Sequence, residues 1–286
     1  MNMNNKNWVS VWGNAVSIAE HHPEAYAKYI TLRYPVYIPF DGDTLRFTFD
    51  NFCGSEAVTV TRATVSAATS PVYEKMPLAC PCKKETICDI TFSKNESVTM
   101  EAHQTAVSDP VSFPVKKGMT LTVSLYFADF TLMQSAVLVT GPLSKGFFSL
   151  GDQTHADTLP MDTTKTTNWF YFLSNIELMT AEENHTVICY GDSITAGAWP
   201  DYLTLLARQN PDNHTAFIRR ATSGSRVLRQ YECITYDSYG LKGTNRFPHE
   251  IPTTGADTVI IQQGINDIIH PIGIETNPFR PMSDLP

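Results

Sequence analysis

Three short polar clusters carry the residue types that acyl transfer needs. They are Gly191-Asp192-Ser193, Thr222-Ser223-Gly224-Ser225 and Gly264-Ile265-Asn266-Asp267. A serine hydroxyl on a tight turn can attack a carbonyl carbon. A backbone N–H and a side-chain amide can stabilise the oxyanion that then forms. Ser193 suits the first role, and the Gly224 N–H with the Asn266 amide suits the second. Gly191, Asp192, Gly264 and Asp267 frame these groups. Gly-Asp-Ser alone turns up by composition in a few per cent of chains of this length, on the order of magnitude set by average usage. The weight lies in two rare clusters in order, each placed directly after an apolar stretch.

Those apolar stretches are the elements that must position the chemistry. "HTVICY" (185–190) is continuously apolar, as in a strand buried on both faces. "PDYLTLLARQ" follows, with Pro200 and Asp201 suited to a first helical turn and Leu203, Leu206 and Ala207 on one helical face. "TAFIRRA" reads as a second strand and "DTVIIQQG" as a third. Strand–helix–strand alternation predicts a parallel sheet, and ligands bind beyond the carboxyl ends of such strands. All three clusters would then meet at one rim.

The first 180 or so residues follow a different pattern. "TLRFTFDNF" alternates Leu45, Phe47 and Phe49 with polar residues, and "EAVTVTRATV" and "MTLTVSLYF" alternate likewise. This predicts half-buried antiparallel strands, joined by turns such as Asp41-Gly42-Asp43 and Lys117-Gly118, in a jelly-roll-like sandwich. A short helix is expected at Pro23 to Tyr29. The change of pattern near "LSNIELMTAEENH" divides the chain into a β-sandwich, 1–182, and an α/β domain, 183–286. The aromatics Trp8, Trp12, Tyr29, Tyr34 and Tyr37 fit a sugar-stacking platform or core packing, with core packing the expectation.

The chain has 286 residues, a formal net charge of −8 and no basic run longer than pairs such as Lys83-Lys84 and Arg219-Arg220. That excludes a nucleic-acid surface. No apolar run approaches the ~18 residues of a membrane span. "MNMNNKNWVS" has no apolar signal core, so the expected location is cytoplasmic, with secretion left open because a mature chain whose signal has been removed would read the same. Cys80, Cys82 and Cys88 lack a second paired knuckle, so reduced thiols and no metal are expected.

The clusters resemble the blocks of the Ser-Gly-Asn-His, or GDSL-type, hydrolases. "GDSITAG" is similar to the first block, Gly224 in "ATSGSRVL" to the second and "GIND" to the third. "WVSVWGNA", "LRFTFDNFCG", "VSDPVSFPV", "TVSLYF" and "WFYFLSNIEL" resemble the two-domain bacterial branch, in which a β-sandwich precedes the hydrolase. The resemblance implies a flavodoxin-like α/β/α domain and a serine esterase without cofactor. Ser193 would form the acyl-enzyme, and the substrate would carry acetyl or other small acyl groups on a carbohydrate. Arg219 stands where that family's second block opens with Asn.

The family's general base is a His in an Asp-x-x-His block near the end of its hydrolase domain. Only nineteen residues follow "GIND" here. The expectation is a partial domain, with three strands where such folds have about five, and an apolar edge covered by a missing segment or by a second copy. Asp267-Ile268-Ile269-His270 spells the motif but overlaps the third block, so His270 is a weak base candidate and His249 a weaker one. His214 reads as a solvated loop residue; His103 and His155 read as structural or exposed. The rival reading is a non-catalytic sandwich binding module joined to a truncated or degenerate hydrolase domain.

Overall fold

The computed structural model describes residues 6–18, 26–227 and 241–269. The described chain is mostly antiparallel β-sheet with few helices. One antiparallel sheet runs Lys6–Gly13, Leu173–Ala181, Gly42–Asp50, with Thr105–Val107 and Val111–Val115 both pairing to the last of these. A second runs Lys165–Thr167, Gly146–Leu150, Ile30–Tyr37, Thr120–Phe127, Arg62–Ala67, Cys88–Ile90. Leu45, Phe47 and Phe49 are fully buried on one face of the first sheet. They share one core with Leu32, Tyr34, Val36, Val123 and Leu125 of the second. Each such side chain contributes roughly 1.5–3 kcal/mol of burial, and period-two patterning is what delivers them to one face.

Thr120–Phe127 departs from the half-buried expectation, because all eight of its residues are buried. The cause is a cover over the polar face. Arg33 donates to Ser124 Oγ (2.9 Å), Gln153 O (2.7 Å) and Ala156 O (2.8 Å), and Thr64 donates to Thr154 O. The segment around 153–156 thereby closes that face with its polar groups satisfied. "EAVTVTRATV" is interrupted rather than continuous: Val58–Val60 and Arg62–Ala67 are separate strands.

The helix expected at Pro23 to Tyr29 is corrected where it is described. Tyr26–Ala27 pairs as a strand with Thr131–Leu132, and Tyr29 takes a left-handed φ of 55°. Cross-strand hydrogen bonding prevails over weak local helical preference. Tyr34 and Tyr37 are buried, Trp12 packs on Phe170, and Arg46 lies over the Trp8 ring. Tyr29, by contrast, is 58% exposed, so core packing does not account for it.

After Ala181 the chain enters a parallel sheet of His185–Gly191, Thr215–Ala221 and Ala256–Gln262, in the spatial order second, first, third. Val187, Ile188, Cys189 and Tyr190 are buried on both faces of the central strand. Helix α1 is Ser193–Ala196, α2 is Trp199–Arg208, α3 is Gly243–Glu250 and α4 is Ile265–Ile269. Pro200 lies in the first turn of α2 as expected, but Leu206 is 62% exposed, so the inward face is not the one the leucines suggest. Among the described residues, the third strand pairs on one side only, and Ile261 is 59% exposed. No described helix is long and apolar enough to cross a membrane.

The parallel sheet is bolted to the sandwich. Val9 and Val11 share a core with Ala216 and Ala221. Ser10 N donates to Thr254 O, and Thr186 Oγ1 donates to Ser10 O. Arg219 and Arg220, adjacent on the second parallel strand, project to opposite faces, since side chains alternate along a strand. Arg219 reaches Asp201 Oδ1 (2.8 Å), Ser144 Oγ (2.8 Å) and Gly197 O (3.0 Å). Arg220 reaches Asn14 O (2.5 Å), Ser174 O (2.7 Å), Asn175 Oδ1 (3.1 Å) and Glu250 O (3.3 Å).

Candidate functional site

The three parallel strands end level. Gly191 is in register with Ala221 on one side and with Gln262 on the other. Every loop that leaves a carboxyl end therefore starts at the same height, which places the three clusters along one rim.

The first loop turns immediately into α1. Asp192 caps it by accepting the Ile194 N–H at 3.0 Å. Ser193 opens the helix, is exposed, and has no hydrogen bond from its Oγ to a described residue. Gly191 is required by close approach. A Cβ there would stand 2.3 Å from Thr195 Oγ1 and 2.6 Å from Gln262 O. Thr195 in turn donates to Gln262 Oε1 at 2.7 Å, joining the first loop to the end of the third strand.

The second and third loops clasp each other. Gly224 has φ +75°, a conformation that L side chains rarely adopt. One residue on, Ser225 O accepts from Asn266 Nδ2 at 3.0 Å. Asp267 Oδ2 accepts from the Val227 N–H at 2.9 Å. Asn266 is 8% exposed. Its amide has two N–H groups, and Ser225 O engages one of them. Gly264 begins the third loop with φ +106°.

Burial pushes the Asp192 carboxyl up, against the lowering effect of the amides it accepts. Its second oxygen, Oδ2, is buried with no hydrogen-bond partner among the described residues, as are Thr222 Oγ1 and Gln263 Oε1. Such orphaned groups are rare in folded chains, and these three lie in the three rim loops.

The histidines distribute as follows. His270 lies outside the described residues. His249 sits in the last turn of α3, where its Nε2 meets Asp50 Oδ2 of the sandwich at 2.7 Å and its ring stacks on Phe52 at 3.9 Å. Its polar contact goes to the sandwich and not to Ser193. Burial disfavours its charged form, but the hydrogen bond and charge of Asp50 prevail and raise its pKa. A cavity of about 260 Å³ lies beside this pair, lined among others by Asn175, Glu177, Arg220 and Glu250. His214 bonds Asn184, His103 bonds Phe52 O and His155 pairs with Asp89, all exposed.

Cys53, Cys80, Cys82, Cys88 and Cys189 are free thiols, and burial pushes Cys80 and Cys189 up to about 12. Among the described residues no three acidic, Cys or His side chains converge as metal ligands do.

Sequence patterning missed Arg246. It is 1% exposed on α3 and hydrogen-bonds the ends of two strands as well as Ser225. Its one signal is Arg246 and Glu250 at i, i+4 spacing, which usually marks a solvated pair. No family model matches the chain, and no curated protein matches it significantly.

Proposed function

We propose that the chain is a serine hydrolase of the Ser-Gly-Asn-His type, acting on carboxylic esters through an acyl-enzyme on Ser193. The observation that carries this reading is the meeting of the three clusters at level strand ends, with Ser193 exposed and the Asn266 amide anchored next to Gly224. In this reading Ser193 Oγ attacks the carbonyl carbon. The Gly224 N–H and the second Asn266 N–H take the oxyanion, the alcohol leaves with the proton that the serine gave up, and water then cleaves the acyl-enzyme to give the acid and free Ser193. The strand order second, first, third is that of the first half of a flavodoxin-like sheet, which supports the same assignment. Small acyl esters on carbohydrates are the substrate class, and fold-level analogy carries that choice. The general base is unassigned among the described residues.

The rival, a sandwich module joined to a catalytically silent domain, draws on one observation: Ser193 Oγ has no described hydrogen-bond partner to activate it. A chromogenic acetyl ester and a fluorophosphonate probe separate the two. Turnover and labelling that vanish in Ser193→Ala support the hydrolase. Equal rates in both proteins favour the silent domain.

A further inference from the structure

The guanidinium of Arg246 lies at the centre of the rim's polar framework. Nη1 donates to Gly191 O (3.2 Å), the last residue of the strand before the nucleophile loop, and to Ser225 Oγ (2.9 Å). Nη2 donates to Arg220 O (3.0 Å) on the second strand. Glu250 grips the same group through both carboxylate oxygens, at 3.1 and 2.8 Å. The face of Tyr190 lies 4.9 Å from the guanidinium carbon.

Ser225 passes the constraint on. Its Oγ also accepts from Gln263 Nε2 at 3.3 Å, and its carbonyl accepts from Asn266 Nδ2 at 3.0 Å. One buried arginine and one buried serine thus connect the nucleophile loop, the Gly224 loop and the Asn266 loop.

We propose that Arg246 and Ser225 are positioning residues that hold the Gly224 and Asn266 donors in register with Ser193. The proposal rests on the hydrolase reading for its catalytic consequence, but not for its structural one.

Bulk stability is a poor reason for this arrangement. A buried ion pair adds little over well-packed apolar side chains. What arginine offers is a planar fork of five donors with a fixed geometry, and here the donors that Glu250 does not take go to two backbone oxygens and one hydroxyl at the rim. Oxyanion donors act only when held within about 0.5 Å of the productive position. Losing one costs ~100-fold or more in turnover. A loosened pair should therefore cost at least about tenfold.

Ser225→Ala removes one hydroxyl that accepts from both Arg246 and Gln263. Arg246→Met with Glu250→Gln removes the guanidinium without stranding a buried carboxylate. Each variant is compared with the unmodified chain by amide hydrogen exchange and by the concentration dependence of fluorophosphonate labelling. The expected result is faster exchange at 222–227 and 264–267, with sandwich strands unchanged. The maximal labelling rate should fall at least about tenfold with the half-saturating probe concentration unchanged. Unchanged exchange in those loops overturns the positioning role whatever the chemistry. Labelling within about twofold of the unmodified chain overturns the link to Ser193. If the unmodified chain itself resists the probe, the hydrolase reading fails, and the exchange experiment still decides the positioning role.

Discussion

Replacing Arg220 by Met keeps the aliphatic stem and removes one of the groups that join the parallel sheet to the sandwich. Arg220 is 6% exposed and donates to Asn14 O, Ser174 O, Asn175 Oδ1 and Glu250 O. The four acceptors are not equally harmed. Ser174 O keeps the Asn14 N–H, and Glu250 O keeps the Thr253 hydroxyl. Asn14 O and Asn175 Oδ1 carry the loss. An unsatisfied buried acceptor costs roughly 1–3 kcal/mol, so the two together set a range of about 2–6 kcal/mol. The adjoining cavity of about 260 Å³ is lined by Asn14 and Asn175, which gives water a route to both. That lowers the expected loss to about 2–4 kcal/mol. Urea unfolding with linear extrapolation measures it. Arg220→Lys, with three donors in place of five, should fall between. A loss below about 0.5 kcal/mol for Arg220→Met, the scale of a neutral surface change, would refute the view that these hydrogen bonds hold the sheet to the sandwich.

Breaking the Arg219–Asp201 pair, whose side chains are 5% and 11% exposed, should cost about 3–5 kcal/mol in Asp201→Ala, because it leaves a buried cation without its carboxylate; urea unfolding reads this directly. Gly224→Ala should lose about 1–2 kcal/mol from its left-handed φ and should also slow probe labelling of Ser193. Asp192→Asn keeps the cap, since the two residues cap equally well, and removes a carboxylate whose charged form burial penalises, so the melting temperature should not fall at neutral pH. His249 has a pKa raised above 6.5, so its pair with Asp50 contributes fully below pH 6.5 and fades as pH rises through the folded value. The stability gap between the unmodified chain and His249→Gln should therefore narrow on the alkaline side, and a gap that widens there would contradict the pairing.

Patterns that arise from one kind of force were legible in the chain. Period-two alternation at Leu45, Phe47 and Phe49 reports a single interface with a hydrophobic core, and the structure buries all three. The continuous run at 187–190 reports a strand covered on both sides. Ser124 was misleading because its cover is polar and distant in sequence, supplied by Arg33, which is itself held by the segment near 153–156. Local spacing has no term for such a partner. The same blindness applies to Arg219, Arg220 and Arg246. In composition they count as basic residues, and their natural place is a solvated surface. In the fold each is buried, and each donates to at least one backbone carbonyl of a segment that it meets only in three dimensions. These arginines are also where the sandwich and the rim become one mechanical unit. Arg220 ties the second strand to the sandwich, and its own carbonyl is held by Arg246, whose remaining donors reach Gly191 and Ser225. Loosening the sandwich should therefore be felt at Ser193 through Arg220 and Arg246 in turn. Arg220→Met should raise amide exchange at 222–227 although none of its lost hydrogen bonds touches that loop. If exchange there stays unchanged while stability falls, the two ends of the molecule are held together without being coupled.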